Sequence, residues 1–217
     1  MRELYHHQLE SIVGDLVTMT RCVRTATHRA TDALLTADAA AAEQVIAADA
    51  EIDRIREEVE ERCFELLALQ QPVATDLRTL VGALRMVMDL ERMGDLAVHV
   101  AKVARLRFPE PAVPPAIEPT IRRMAHAAEA MIDTTADVIE NRDVDAARAL
   151  EAEDEEMDRL RRSVFAQLLS DEWQAGIEPA IDIALLGRYY ERMADHAVSL
   201  GRRVVYQVTG ERGVQTG

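Results

Sequence analysis

Apolar residues recur along this chain every three or four positions, the spacing that lines one face of an α-helix. The first such run, Leu9, Ile12, Val13, Leu16, Thr20, Val23, Thr27 and Leu34, relaxes at Thr36-Ala37-Asp38 and predicts a helix closed by a tight turn. Val45, Ile52, Ile55, Val59, Cys63 and Leu66 predict a second helix, which must stop before Pro72 because a proline ring cannot extend an interior turn. A third runs to about Phe108. Beyond a proline-rich stretch the pattern starts again. Ile117, Ile121, Met124, Ala128, Met131, Ile132, Thr135 and Ile139 give a fourth helix, broken at Asn141-Arg142-Asp143. A fifth spans Ala146 to about Leu169, and after a break at 171–176 a sixth runs from Ile177 to about Thr209.

The two series are copies. Residues 48–56 (ADAEIDRIR) align with 153–161 (EDEEMDRLR) at an offset of 105, so each half reads as a three-helix unit arising by internal duplication. The expected organisation is a first three-helix bundle at 1–108, a connector at 109–116, a second bundle at 117–209 and a mobile tail at 210–217. The connector holds Pro109, Pro111, Pro114 and Pro115 and reads as extended and stiff. The expected fold is all-α, with six helices forming two pseudosymmetric three-helix bundles.

Composition supports helix over sheet: 48% of the 217 residues are apolar and only 4% aromatic, with few Gly and Pro. The formal charge of −14 repels phosphate backbones, so nucleic acid is not an expected partner, whereas cations and proteins are. Cys22 and Cys63 lack zinc-like or redox spacing and read as small apolar groups in a reducing compartment. No apolar leader and no stretch approaching eighteen apolar residues occurs, so the reading is cytoplasmic, without a membrane span.

The chemistry lies in acids. Glu91-Arg92-Met93-Gly94-Asp95 returns as Glu191-Arg192-Met193-Ala194-Asp195. On a helical projection Leu77, Leu80, Val81, Leu84 and Met88 form a stripe that Glu91, Asp95 and Val98 continue, and Ile177, Ala180, Ala184 and Gly187 lead likewise into Glu191, Asp195 and Val198. The acids are therefore expected to interrupt a core seam. An unpaired buried carboxylate costs roughly several kcal/mol, so a positive partner is required. The second and fifth helices add Asp49 with Asp53 and Asp154 with Asp158, each one turn apart. Taken alone these are ordinary exposed charges. Set beside the tetrads they would complete two oxygen-only clusters, suited to hard or borderline ions such as Fe, Mn, Mg, Ca or Zn. The competing partners are guanidinium groups, from Arg56, Arg85, Arg92, Arg161, Arg188 and Arg192.

His99, four residues after Asp95, is an additional ligand candidate, although a lone histidine near an apolar face is more often packing. Di-iron carboxylate bundles place Glu-x-x-His on two helices, and here Glu3-x-x-His6 stands alone, which weakens the alternative of a carboxylate-bridged metal store or oxidoreductase. No Gly-rich phosphate loop and no nucleophile elbow occurs, so no enzyme is expected. Lys102, Arg105, Arg107, Arg202 and Arg203 read as complements to helix C-terminal dipoles.

With both tetrads, the duplicated unit and the run Gln71-Pro72-Val73-Ala74-Thr75-Asp76-Leu77-Arg78, the chain resembles the PhoU family of phosphate-signalling regulators, in its actinobacterial branch. The resemblance implies multinuclear iron or zinc clusters, with Mn or Mg also compatible, held by Asp49, Asp53, Glu91, Asp95, Asp154, Asp158, Glu191 and Asp195. It also implies a cytoplasmic negative regulator of the phosphate-starvation response, recruited peripherally to the inner face of the membrane. Its implied partners are the ATPase subunit of the phosphate ABC transporter and a sensor histidine kinase, and a homodimer is compatible. Two departures from the family pattern stand out: His99 replaces an Asn, and Ala194 replaces the Gly of the second tetrad.

Overall fold

The computed structural model describes residues 2–211, and over them the chain forms α1 Arg2–Thr36, α2 Ala39–Gln70, α3 Ala74–Arg107, α4 Glu118–Asn141, α5 Val144–Leu168 and α6 Ile177–Thr209. Of the expected tail, 212–217 lie outside the described residues.

Local chemistry sets the helix ends. In each half the first turn places a residue in the left-handed region, Ala37 at φ 52° and Arg142 at φ 54°, and follows it with an aspartate cap. Asp38 accepts from the backbone N–H of Ala41 at 2.9 Å, and Asp143 from Asp145 and Ala146 at 3.0 Å each. These carboxylates satisfy N–H groups that the helix itself leaves without partners. α2 gives way at Gln71 before Pro72, and α6 ends at Gly210, whose φ of 75° suits glycine.

α1, α2 and α3 pack mutually, as do α4, α5 and α6, giving the two expected trios. The trios also share one apolar core, because α1 lies against α4 and α3 against α6. Both crossings are antiparallel. Arg107 at the end of α3 pairs with Glu178 and Asp182 near the start of α6, while Gln207 near the end of α6 bonds the Thr79 carbonyl at 3.4 Å. In the other crossing, Arg21 meets Glu140 at 3.0 Å and Arg24 meets Asp133 at 3.3 Å. Equivalent helices thus meet about a pseudo-twofold relation, and the tetrads, at the middle of α3 and α6, fall near its centre.

The connector corrects an expectation. It is a series of turns, not an extended spacer: Glu110 N–H bonds the Arg107 carbonyl at 2.9 Å and Ile117 N–H bonds that of Pro114 at 3.1 Å. Ala112, Val113 and Ile117 are buried. The apolar residues between the prolines join the common core, and burying them outweighs the preference of proline-rich chain for extension.

Candidate functional site

The helices bring the predicted acids together in two groups. α2 and α3 lie alongside one another, with Arg105 bonding Glu43 at 2.9 Å, and Asp49 closes onto the α3 backbone at Gly94. A Cβ on Gly94 would stand 3.3 Å from Asp49 Oδ1 and 3.0 Å from Ile52 Cδ1, so the missing side chain permits the approach. Burial first, then the charges of Asp53, Asp95 and Glu91, push the Asp49 carboxyl from its ordinary 3.8 up to about 6, against the pull of Lys102. Glu91 is also raised, by burial and by Asp95, with Arg92 and Arg56 opposing. Arg92 bonds Asp95 at 3.2 Å and stands 3.5 Å from Glu91 Oε2, a buried oxygen that has no hydrogen bond.

In the second half, burial and the charges of Asp195, Asp158 and Glu191 raise Asp154 to about 6, with Arg202 opposing. Glu191 is buried and paired twice: Arg161 Nη1 donates to Oε1 at 3.1 Å and Arg188 donates to Oε2. Here the guanidinium partners expected as competitors of a metal are in place.

Two expectations change. Leu77, Val81 and Met88 are 41%, 37% and 42% exposed, so of the stripe leading into the first tetrad only Leu80 lies in the core seam and the stripe mostly follows the rim of α3. The seam is Leu80, Ala83, Val87, Leu90, Met93, Ala97, Ala101 and Ala104. α3 is wedged among α1, α2 and α6, so its buried arc is wide and its centre is turned away from the acids. Second, the tetrad aspartates are not sequestered: Asp195 is exposed and Asp95 keeps 42% of its side-chain surface, while Asp53 and Asp158 are exposed as their helices taken alone predicted. Among the described residues no group of three or more Asp, Glu, His or Cys side chains is poised to hold a metal ion. His99 packs edge-on against Tyr189 of α6, with ring centroids 5.3 Å apart.

The oxygen donors fit a hard cation in kind, however, and the first group retains uncompensated negative charge and a buried carboxylate oxygen without a donor.

Sequence reasoning missed the acids that join the trios. Asp89 of α3 receives His196 Nδ1 at 3.1 Å, Ser199 Oγ at 3.3 Å and Arg203 Nε at 2.8 Å from α6. Burial disfavours its charge, but His196 and Arg203 prevail and hold the carboxyl below its ordinary value. Buried Glu129 of α4 meets His28 Nδ1 at 3.2 Å and Arg24 at 3.7 Å on α1, and buried Asp182 accepts from Arg107 at 2.6 Å. Arg105, Arg107, Arg202 and Arg203 all pair with carboxylates on neighbouring helices, Arg202 bonding Glu151 at 2.8 Å; Arg105 and Arg107 do stand in the last turn of α3 as expected, whereas Arg202 and Arg203 lie before the last turn of α6. Nothing in the periodicity marks Asp89, Glu129 or Asp182, because their partners are 75 to 114 residues away along the chain. Cys63 is buried, and burial pushes its thiol up to about 11, in keeping with packing.

Comparison with known proteins agrees with this architecture. The PhoU domain model matches residues 16–104 and 121–204, one match to each half. A phosphate-specific transport system accessory protein PhoU homolog 1 from Mycobacterium tuberculosis is 44% identical over 210 residues, covering 97% of this chain and 95% of the relative. The corresponding homolog from Aquifex aeolicus is 33% identical over 94% of this chain and 92% of its own length. Among solved structures, PhoU from Pseudomonas aeruginosa superposes with a TM-score of 0.86 at 29% identity, over 95% of this chain and all of that one. With both halves matched and the six-helix architecture shared, the chain belongs to the PhoU family.

Proposed function

We propose that this chain is a non-enzymatic accessory regulator of a phosphate-specific transport system, which represses uptake and phosphate-starvation transcription when phosphate is plentiful. The observation that carries this reading is the near full-length likeness to proteins named as accessory to that system. In it the protein couples the ATPase subunit of the phosphate ABC transporter to a sensor histidine kinase. It acts in the cytoplasm and reaches the inner face of the membrane through the transporter. No helix among the described residues is long and apolar enough to cross a membrane, which suits a docking role. One core spanning six long helices makes a body whose faces hold fixed spacing, as an adaptor between two partners requires.

Within this reading the acid clusters hold iron or zinc ions, or Mn or Mg, through Asp49, Asp53, Glu91 and Asp95 and, in the second half, Asp154, Asp158, Glu191 and Asp195. A bound cation would offset the burial, and then the repulsion, that raise Asp49 and Asp154, and would tie α2 to α3 and α5 to α6. The test is deletion of the gene together with any paralogue. Phosphate-starvation genes should then be expressed in rich phosphate, and repression that persists unchanged would refute the assignment.

A further inference from the structure

α1 and α2 leave an open-sided cavity between them, about 420 Å3 in volume and lined mainly by apolar groups. Small-molecule sites in proteins commonly occupy about 300–1,000 Å3. The duplication explains why the space is there. Residues of the first half recur in the second at an offset of 105, as the left-handed turn residues Ala37 and Arg142 and the caps Asp38 and Asp143 do. At that offset Ala26, Val45 and Ile52, which line the cavity, correspond to Met131, Leu150 and Met157, each no more than 1% exposed. Ala26 lacks everything beyond Cβ that Met131 carries into the core, so the first half leaves open what the second fills with its own side chains.

The mouth of the cavity carries an unmatched positive charge. Of the charged groups that line it, Arg21 meets Glu140 of α4 at 3.0 Å, and Glu51 accepts two bonds from Arg54, at 2.5 and 2.9 Å. Arg29 is exposed and donates to a neutral acceptor, Gln44 Oε1 at 2.5 Å; among the described residues no carboxylate pairs with it. Cys22 is half-buried in the wall, and burial, then the charge of Glu51, raises its thiol, which stays protonated at neutral pH and adds to the apolar lining. We propose that this cavity binds a small amphipathic anion, its alkyl chain seated against Ala26, Val45 and Ile52 and its carboxylate paired with Arg29 at the mouth. Burial of the chain supplies the attraction, and the guanidinium selects the head. None of the acids of the two clusters lines the cavity, so this site is independent of the cation reading above.

Octanoate, with octanol as its uncharged counterpart, tests the proposal on the full chain. Calorimetry should show one octanoate bound per chain, with octanol several-fold weaker. Octanoate should also slow alkylation of Cys22 by N-ethylmaleimide, followed by mass spectrometry, with buried Cys63 as the internal reference. Ala26→Met, which introduces the residue that the second half accommodates at this position, should abolish binding of both ligands. Arg29→Gln, at an exposed position, should remove the preference for octanoate and leave octanol binding unchanged. Circular dichroism checks that each variant is folded. Absence of octanoate binding, alkylation of Cys22 that octanoate does not slow, or undiminished binding by folded Ala26→Met would overturn the cavity as the site. Equal affinity of the wild type for octanoate and octanol, or a preference that survives in Arg29→Gln, would overturn the assignment of an anion to Arg29.

Discussion

Asp49→Asn isolates the electrostatic cost built into the first cluster. In the metal-free protein the Asp49 carboxyl is raised from 3.8 to about 6, chiefly by burial and then by three neighbouring acids. Between these values the folded chain retains a proton that the unfolded chain has released, so stability falls as pH rises through the window. A displacement of this size corresponds to at most about 3 kcal/mol at 1.36 kcal/mol per unit. Because the group is half-buried and its neighbours are solvated, screening reduces the figure to about 1 kcal/mol. Asparagine keeps the shape and removes the charge. In the presence of a chelator, Asp49→Asn should therefore be more stable than wild type by about 1 kcal/mol near neutral pH, by urea unfolding followed with far-ultraviolet circular dichroism. The advantage should shrink through that window and vanish below the ordinary carboxylate pKa, where wild-type Asp49 is protonated in both states. Asp154→Asn should behave alike, since its shift is of the same size and origin. Saturating Mn2+ should reverse the order for Asp49→Asn, because ligand binding stabilises only the chain that holds the ion. A neutral-pH loss of stability in Asp49→Asn, or a gain that persists in acid, would refute the reasoning.

Two further predictions concern packing and the contact between trios. A Cβ on Gly201 would stand 2.9 Å from the Ala147 carbonyl oxygen, so Gly201→Ala should force α5 from α6 and cost about 1–3 kcal/mol; Gly14→Ala, with nothing within 4 Å, should gain about 0.5–1 kcal/mol, and thermal melting distinguishes the two. Asp89→Ala removes the acceptor of His196, Ser199 and Arg203 and should cost about 1.5–3 kcal/mol near neutral pH. As the folded pKa of Asp89 is depressed, its contribution is present above the ordinary carboxylate value and lost as pH falls through the folded one, so the penalty should shrink in strong acid.

What could be read from the chain alone was whatever depends on neighbours in sequence. The six helices follow from a three-to-four-residue apolar period, the breaks at Ala37 and Arg142 from turn and capping chemistry, and the duplication from an offset that carries the acids with it. The pairing of α2 acids with α3 acids was also legible, because a trio of long helices with short turns leaves adjacent helices side by side. The orientation of α3 was not. A helix wedged among three others buries an arc too wide for its periodicity to locate the centre, and Leu77, Val81 and Met88 fell on the rim although their spacing matched a core stripe. The partners of Asp89, Glu129 and Asp182 were equally hidden, since they arise where α3 meets α6 and α1 meets α4. Sequence determined which elements form and which charges they carry; only the tertiary packing, and for Asp89, Glu129 and Asp182 the crossing of the trios through a core common to both halves, decided which of those charges meet a cationic partner and which are left facing one another.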